Sequence, residues 1–133
     1  MPDRVLRVLY IDDDPGLVRL VERSLRGRGY RVEQAGDGAA GLARLAQGGV
    51  DLVALDHHMP GEEGLAVLAR IRALPDPPPV IYVTGSDDSR VAVAALKAGA
   101  VDYVRSEERF SRNAETVVRI SYAVFCLKKI FFF

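Results

Sequence analysis

Val5-Leu6-Arg7-Val8-Leu9-Tyr10-Ile11-Asp12-Asp13-Asp14-Pro15 is an apolar run that stops on three consecutive aspartates and a proline. The run has the length of a buried strand, and Pro15 suits the first turn of a following helix. The figure returns downstream. Leu52–Leu55 stops on Asp56, Val80–Val83 stops on Thr84, and Asp102–Val104 runs into Arg105 and Ser106. Arg31–Ala35 supplies a further short run. The first, third and fourth of these five runs lack clean polar alternation, as strands covered on both faces do.

Helical spacing fills the intervals. Leu17, Leu20, Val21, Ser24 and Leu25 form one stripe, and Ala39, Leu42, Leu45 and Ala46 a second. Leu65, Val67, Leu68 and Ile71 form a third, and Val91, Ala95 and Leu96 a fourth. A last helix is expected from about Arg112, with Phe110, Ala114, Val117, Val118, Ser121 and Phe125 facing inward. Gly27 and Gly29 close the first helix, and Asp14 and Asp37 are placed to cap the first and second. Ser86, Asp87 and Ser89 are cap candidates for the fourth. Pro75-Asp76-Pro77-Pro78-Pro79 cannot be helical and enters the fourth strand extended. Five strands alternating with five helices predict an α/β fold, a parallel sheet in the order 2-1-3-4-5 with helices on both faces.

The chain's bulk properties bound its partners. Its 133 residues suit one domain, with a core over about 5–125 and an atypical apolar tail at 126–133. With 49% hydrophobic and 27% charged residues it reads as globular. Eighteen basic residues balance eighteen acidic ones, which argues against direct nucleic-acid binding. The single Cys126 excludes an internal disulfide and a cysteine zinc site. Charges at Asp3, Arg4 and Arg7 leave no room for a signal peptide, so a cytoplasmic location is expected. The apolar stretch over 117–133 is interrupted by Arg119, Lys128 and Lys129, so no membrane span is expected. That stretch holds two of the three lysines in a chain with fifteen arginines. It reads as a buried last helix with a compositionally foreign end, or else as a membrane-interface or dimer-forming tail.

In open parallel sheets, ligands bind beyond the carboxyl ends of the strands, where the strand order reverses. Here the reversal falls between the first and third strands, which end on Asp12-Asp13-Asp14 and on Asp56. Clustered carboxylates repel, and a hard divalent cation removes that cost. Asp14, directly before Pro15, suits a helix cap better than a metal ligand. His57 and His58 lack the spacing of paired zinc ligands, and His58 and Ser86 suit the rim of the pocket.

The sequence resembles the receiver domain of two-component response regulators, whose fold is flavodoxin-like. The resemblance rests on Val8–Pro15, on Asp51-Leu52-Val53-Ala54-Leu55-Asp56-His57-His58-Met59-Pro60-Gly61, on Val80–Gly85 and on Ala98-Gly99-Ala100-Val101-Asp102-Tyr103-Val104. These motifs stand in order and in register over about residues 5–125. The resemblance implies that Asp56 is a phosphoacceptor for a histidine kinase or histidine phosphotransfer protein. It implies that Asp12, Asp13, Asp56 and the backbone carbonyl of His58 hold Mg²⁺. It gives Thr84 the switch hydroxyl, Gly85 the small neighbour that admits phosphodonors, and Tyr103 the aromatic that follows Thr84. Such domains commonly form homodimers through helix 4, strand 5 and helix 5, and the apolar last helix is compatible with that.

One position departs from the pattern. Ser106 stands where receivers place a lysine after the fifth strand, and its short uncharged hydroxyl cannot replace an ammonium. Arg105 is expected on the opposite face by strand alternation. Two alternatives stay open: a pseudo-receiver that binds a partner without switching, and a phosphatase of the haloacid dehalogenase type built on Asp12-Asp13-Asp14. Against the second stands Pro15-Gly16, where that family has a Thr-containing continuation.

Overall fold

The structure, a computed structural model, describes residues 5–57, 63–85, 89–105 and 114–131, and within the last stretch the side chains of 117–126. The elements alternate as β1 (Leu6–Ile11), α1 (Pro15–Leu25), β2 (Tyr30–Ala35), α2 (Gly38–Ala46), β3 (Leu52–Asp56), α3 (Gly64–Arg72), β4 (Val80–Thr84), α4 (Ser89–Lys97), β5 (Asp102–Arg105) and α5 (Ala114–Phe131). The strands form one sheet in the order β2-β1-β3-β4-β5, and every pairing is parallel. This is the doubly wound architecture the sequence predicts. All residues of β3 and β4 are buried, whereas β2 and β5 at the edges expose part of theirs.

The sheet separates two cores. On one face Leu6, Val8, Tyr10, Leu52, Ala54, Ile81 and Val83 meet α1 and α5. On the other, Leu9, Ile11, Val53, Leu55, Val80 and Tyr82 meet α3 and α4, with Leu42 and Leu45 of α2 packed alongside. Side chains of successive strand residues thus serve opposite cores, as the pleat requires.

Local chemistry sets the helix ends. The Asp14 carboxylate accepts from the amides of Gly16 and Leu17 at 3.0 and 3.2 Å. Asp37 accepts from the Ala40 amide at 2.7 Å. Both caps stand where the sequence places them, and each satisfies donors that α1 and α2 would otherwise leave without partners. Gly27 and Gly29 turn the chain into β2 at φ of +79° and +91°, angles that a β-carbon disfavours.

The helical stripes shift in phase from those expected. Leu20 is 40% exposed, and Val18 is buried in its place. Val118 is 64% exposed, while Ile120 and Val124 point inward beside Val117 and Ser121. Leu96 is also exposed, and Ala92 is buried instead. In each case the apolar residues outnumber those one face can bury, so the packing partner chooses the face. A hydrogen bond between the Ser24 and Ser121 hydroxyls, at 2.9 Å, fixes α1 against α5.

Candidate functional site

The carboxyl edge of the sheet gathers the acidic residues. Ile11 pairs with Leu55 in the β1–β3 register, which brings Asp12 and Asp56 to one level on neighbouring strands. Asp56 pairs with Val83 in the β3–β4 register, so Thr84 stands one step further out. Asp56 and Thr84 are themselves the last residues of β3 and β4, where the sequence reading puts them just beyond. Strand order reverses here, so no connecting helix covers the edge between β1 and β3.

Asp12 and Asp56 are 0% and 3% exposed, whereas Asp13 is exposed. Carboxylate oxygens of these three residues lie within 4.8 Å of one another. Backbone and side-chain bonds hold the acidic turn in place. The Asp12 carboxylate accepts from the Asp14 amide at 2.9 Å, and the Asp12 carbonyl accepts from Gln34 Nε2 at 2.9 Å. Gln34 is a contributor the sequence analysis missed, since nothing in an edge strand marks a glutamine as reaching across to β1. An all-oxygen donor set with two buried carboxylates is the chemistry that hard divalent cations select. The residues present therefore fit such an ion.

A second cluster lies beside Asp56. The Tyr82 side chain is fully buried, and its hydroxyl shares a hydrogen bond with His57 Nδ1. The two rings meet edge to face with centroids 5.6 Å apart. Burial pushes the Tyr82 hydroxyl far above the usual phenol range, and the charges of Asp56 and Glu63 add to that direction. His57 is thus engaged by a tyrosine through Nδ1. The legible signal was Tyr82 itself, because a tyrosine in a strand covered on both faces needs a partner for its hydroxyl.

Gly64 begins α3 against this cluster. A β-carbon there would stand 2.6 Å from the Asp56 carbonyl oxygen and 2.6 Å from the Tyr82 hydroxyl. The backbone oxygen cannot swing aside as a side-chain end can. Gly64→Ala should therefore cost at least about 1 kcal/mol, read as a lower urea midpoint without a change in slope.

Of the remaining expected residues, Tyr103 stands on β5 opposite Tyr82 and is 41% exposed. Arg105 pairs with Thr84 in the β4–β5 register and is exposed. Ser106, His58 and Ser86 lie outside the described residues, as do Asp87, Phe110 and Arg112.

Known proteins share this arrangement over most of the chain. The family model described as the response regulator receiver domain matches residues 8–114. This chain belongs to the response regulator receiver family. The receiver is 36% identical over 99 residues to the transcriptional regulatory protein TrcR of Mycobacterium tuberculosis, covering 74% of this chain and 38% of that protein. It therefore spans well under half the length of that relative. Among solved structures, a Francisella response regulator receiver domain superposes with a TM-score of 0.78 at 25% identity, covering 93% of this chain and 97% of that one. The response regulator TrrA of Thermotoga maritima, solved with Mg²⁺ and BeF, superposes with a TM-score of 0.67 at 30% identity, over 86% of this chain and 98% of that one. The receiver shares the fold of both. Among its described residues, no helix is long and apolar enough to cross a membrane.

Proposed function

We propose that this receiver accepts a phosphoryl group from a phosphohistidine onto Asp56, with a divalent cation, Mg²⁺, held by Asp12, Asp13 and Asp56. The convergence of those three carboxylates at the strand-order reversal carries the proposal. A carboxylate oxygen of Asp56 attacks phosphorus as the P–N bond to the donor imidazole breaks, and the nitrogen keeps the electron pair. Bound Mg²⁺ supplies charge neutralisation on the transferring group. Asp12 and Asp13 hold that ion, the buried β3 edge keeps the Asp56 side chain in one place, and the Thr84 hydroxyl stands one step further out to donate to the new phosphate. The fourth expected ligand, the His58 carbonyl, belongs to the same reading. So does the part of Tyr103, whose exposed position on the edge strand leaves it space to turn inward beside Thr84.

The donor in this proposal is a sensor histidine kinase or a histidine phosphotransfer protein, and residues 1–133 act as one cytoplasmic unit. Val93 and Leu96 on α4, Val101 and Tyr103 at β5, and Val118 and Tyr122 on α5 are all exposed, which supports self-association through that face. The haloacid dehalogenase alternative finds no support in the family match. Incubation with acetyl phosphate and Mg²⁺ tests the reading. A stoichiometric, acid-stable and base-labile phosphate is expected, and no label at all would favour a pseudo-receiver.

Metal binding gives an independent check. Asp13→Asn removes one charge at an exposed ligand, worth about 2 kcal/mol against a divalent ion at 4 Å in water. Mn²⁺ affinity should fall about thirtyfold. Equal affinities of both proteins in a Mn²⁺ titration would remove Asp13 from the site.

A further inference from the structure

We infer that Tyr82 is a positioning residue for the Asp56 carboxylate, acting through the hydrogen bond between its hydroxyl and the ring of His57. The inference rests on the reading of Asp56 as phosphoacceptor and metal ligand. Three bonds converge on the residue that follows Asp56. The His57 amide donates to the Val83 carbonyl at 2.8 Å, the His57 carbonyl accepts from the Gly64 amide at 3.0 Å, and the His57 ring is held by Tyr82. The first ties the end of β3 to β4, the second ties it to the start of α3, and the third anchors it in the core between them. Asp56 is wedged from a further side, because its carbonyl lies against the missing side chain of Gly64.

With the backbone so held on both sides of its peptide, the Asp56 side chain retains little freedom beyond its own rotamers. A functional carboxylate needs that restraint, since small misplacements of a nucleophile or ligand are expensive. Tyr82 is suited to the task. It is rigid, fully buried, and pairs with Leu55, the residue preceding Asp56, in the strand register. Its burial keeps the hydroxyl protonated and able to donate to the His57 ring, in surroundings where a hydrogen bond is stronger than in water. The simpler alternative is that His57 merely satisfies a core tyrosine. The two differ in what happens at Asp56 when the bond is removed.

Tyr82→Phe keeps the ring and deletes the hydroxyl, and His57→Leu removes the partner instead. The intact chain and both variants are to be measured for Mn²⁺ affinity by counting free ion in electron paramagnetic resonance, and for the lifetime of phosphate placed on Asp56 by acetyl phosphate. Loss of one hydrogen bond predicts a roughly three- to tenfold weaker Mn²⁺ affinity in either variant, and an altered phosphate lifetime. The double variant should be no worse than either single one, because both delete the same bond. Thermal midpoints that fall while affinity and lifetime stay at wild-type values would overturn the inference and leave Tyr82 a core residue. Losses that add in the double variant would overturn it as well. A wild-type chain that neither binds Mn²⁺ nor takes label would instead refute the site assignment on which the inference stands.

Discussion

Asp56→Asn protein incubated with acetyl phosphate and Mg²⁺ should take up no phosphate, while Asp14→Asn should label nearly as fully as the wild type. The amide keeps the shape of the buried side chain but has no anionic oxygen to attack phosphorus, so the reaction has no nucleophile. Among the described carboxylates of the site, neither neighbour is placed to replace it. Asp13 is exposed and Asp12 is already engaged with the Asp14 amide. Asp14 shares the same acidic run, yet its carboxylate caps α1. Asparagine caps a helix about as well as aspartate, so only the charge at the helix N-terminus is lost, at a cost of about 0.5 kcal/mol, and the chemistry stays intact. Label persisting on Asp56→Asn, read by intact mass, would move the phosphoacceptor elsewhere. Label lost from Asp14→Asn would enlarge the acidic site beyond three residues.

The second large effect concerns Ser106. In receivers the lysine at this position and the switch hydroxyl are drawn to the same phosphoryl group, and their joint pull moves the α4–β5 surface. A ligand shifts a two-state equilibrium only by its differential affinity for the two states. Loss of one charge-assisted contact removes roughly 1.5–3 kcal/mol of that difference, a population shift about tenfold to a hundredfold smaller. Beryllofluoride should therefore bind the wild type with little change in the amide resonances around Thr84 and Tyr103. Ser106→Lys should enlarge the change without altering the fold. A full-sized change in the wild type would mean that another group has taken over the lysine's part. Arg105, which pairs with Thr84 in the register, is the nearest cation in sequence.

How much of this was legible before the fold was seen follows from what each residue answers to. Asp12, Asp13 and Asp56 were legible because a strand end is marked by the apolar run that stops there, and parallel sheets put all such ends on one edge. Asp14 was legible as a cap because Pro15 announces a first helical turn. The faces of α1 and α5 were not. Leu20 and Val18 both satisfy a helical stripe from Leu17 to Leu25, and only the position of α5 decides between them. Val118 was misjudged for the same reason, since α5 has more apolar residues than one face can hide. The pair of His57 and Tyr82 was hidden because its members lie 25 residues apart: the buried tyrosine announces that its hydroxyl needs a partner but not which one. Only the register of β3 against β4 brings them together.

The hydroxyl bond between Ser24 and Ser121 spans 97 residues of sequence. Further along the same seam, the ring of Phe125 lies 5.7 Å from that of Tyr30 and beneath the guanidinium of Arg28. Every one of these contacts joins the beginning of the chain to its last helix. On a ribosome adding roughly 5–20 residues per second, about 5–20 s pass between the emergence of α1 and that of the helix that covers it. Through that interval Leu17, Val21 and Leu25 have no α5 to pack against, while the strands behind them are completed one by one. Nascent receiver is therefore a natural client for chaperones that hold greasy helices. A message cut short before Ala114 would yield a product that proteases remove, because the seam between α1 and α5 could never close.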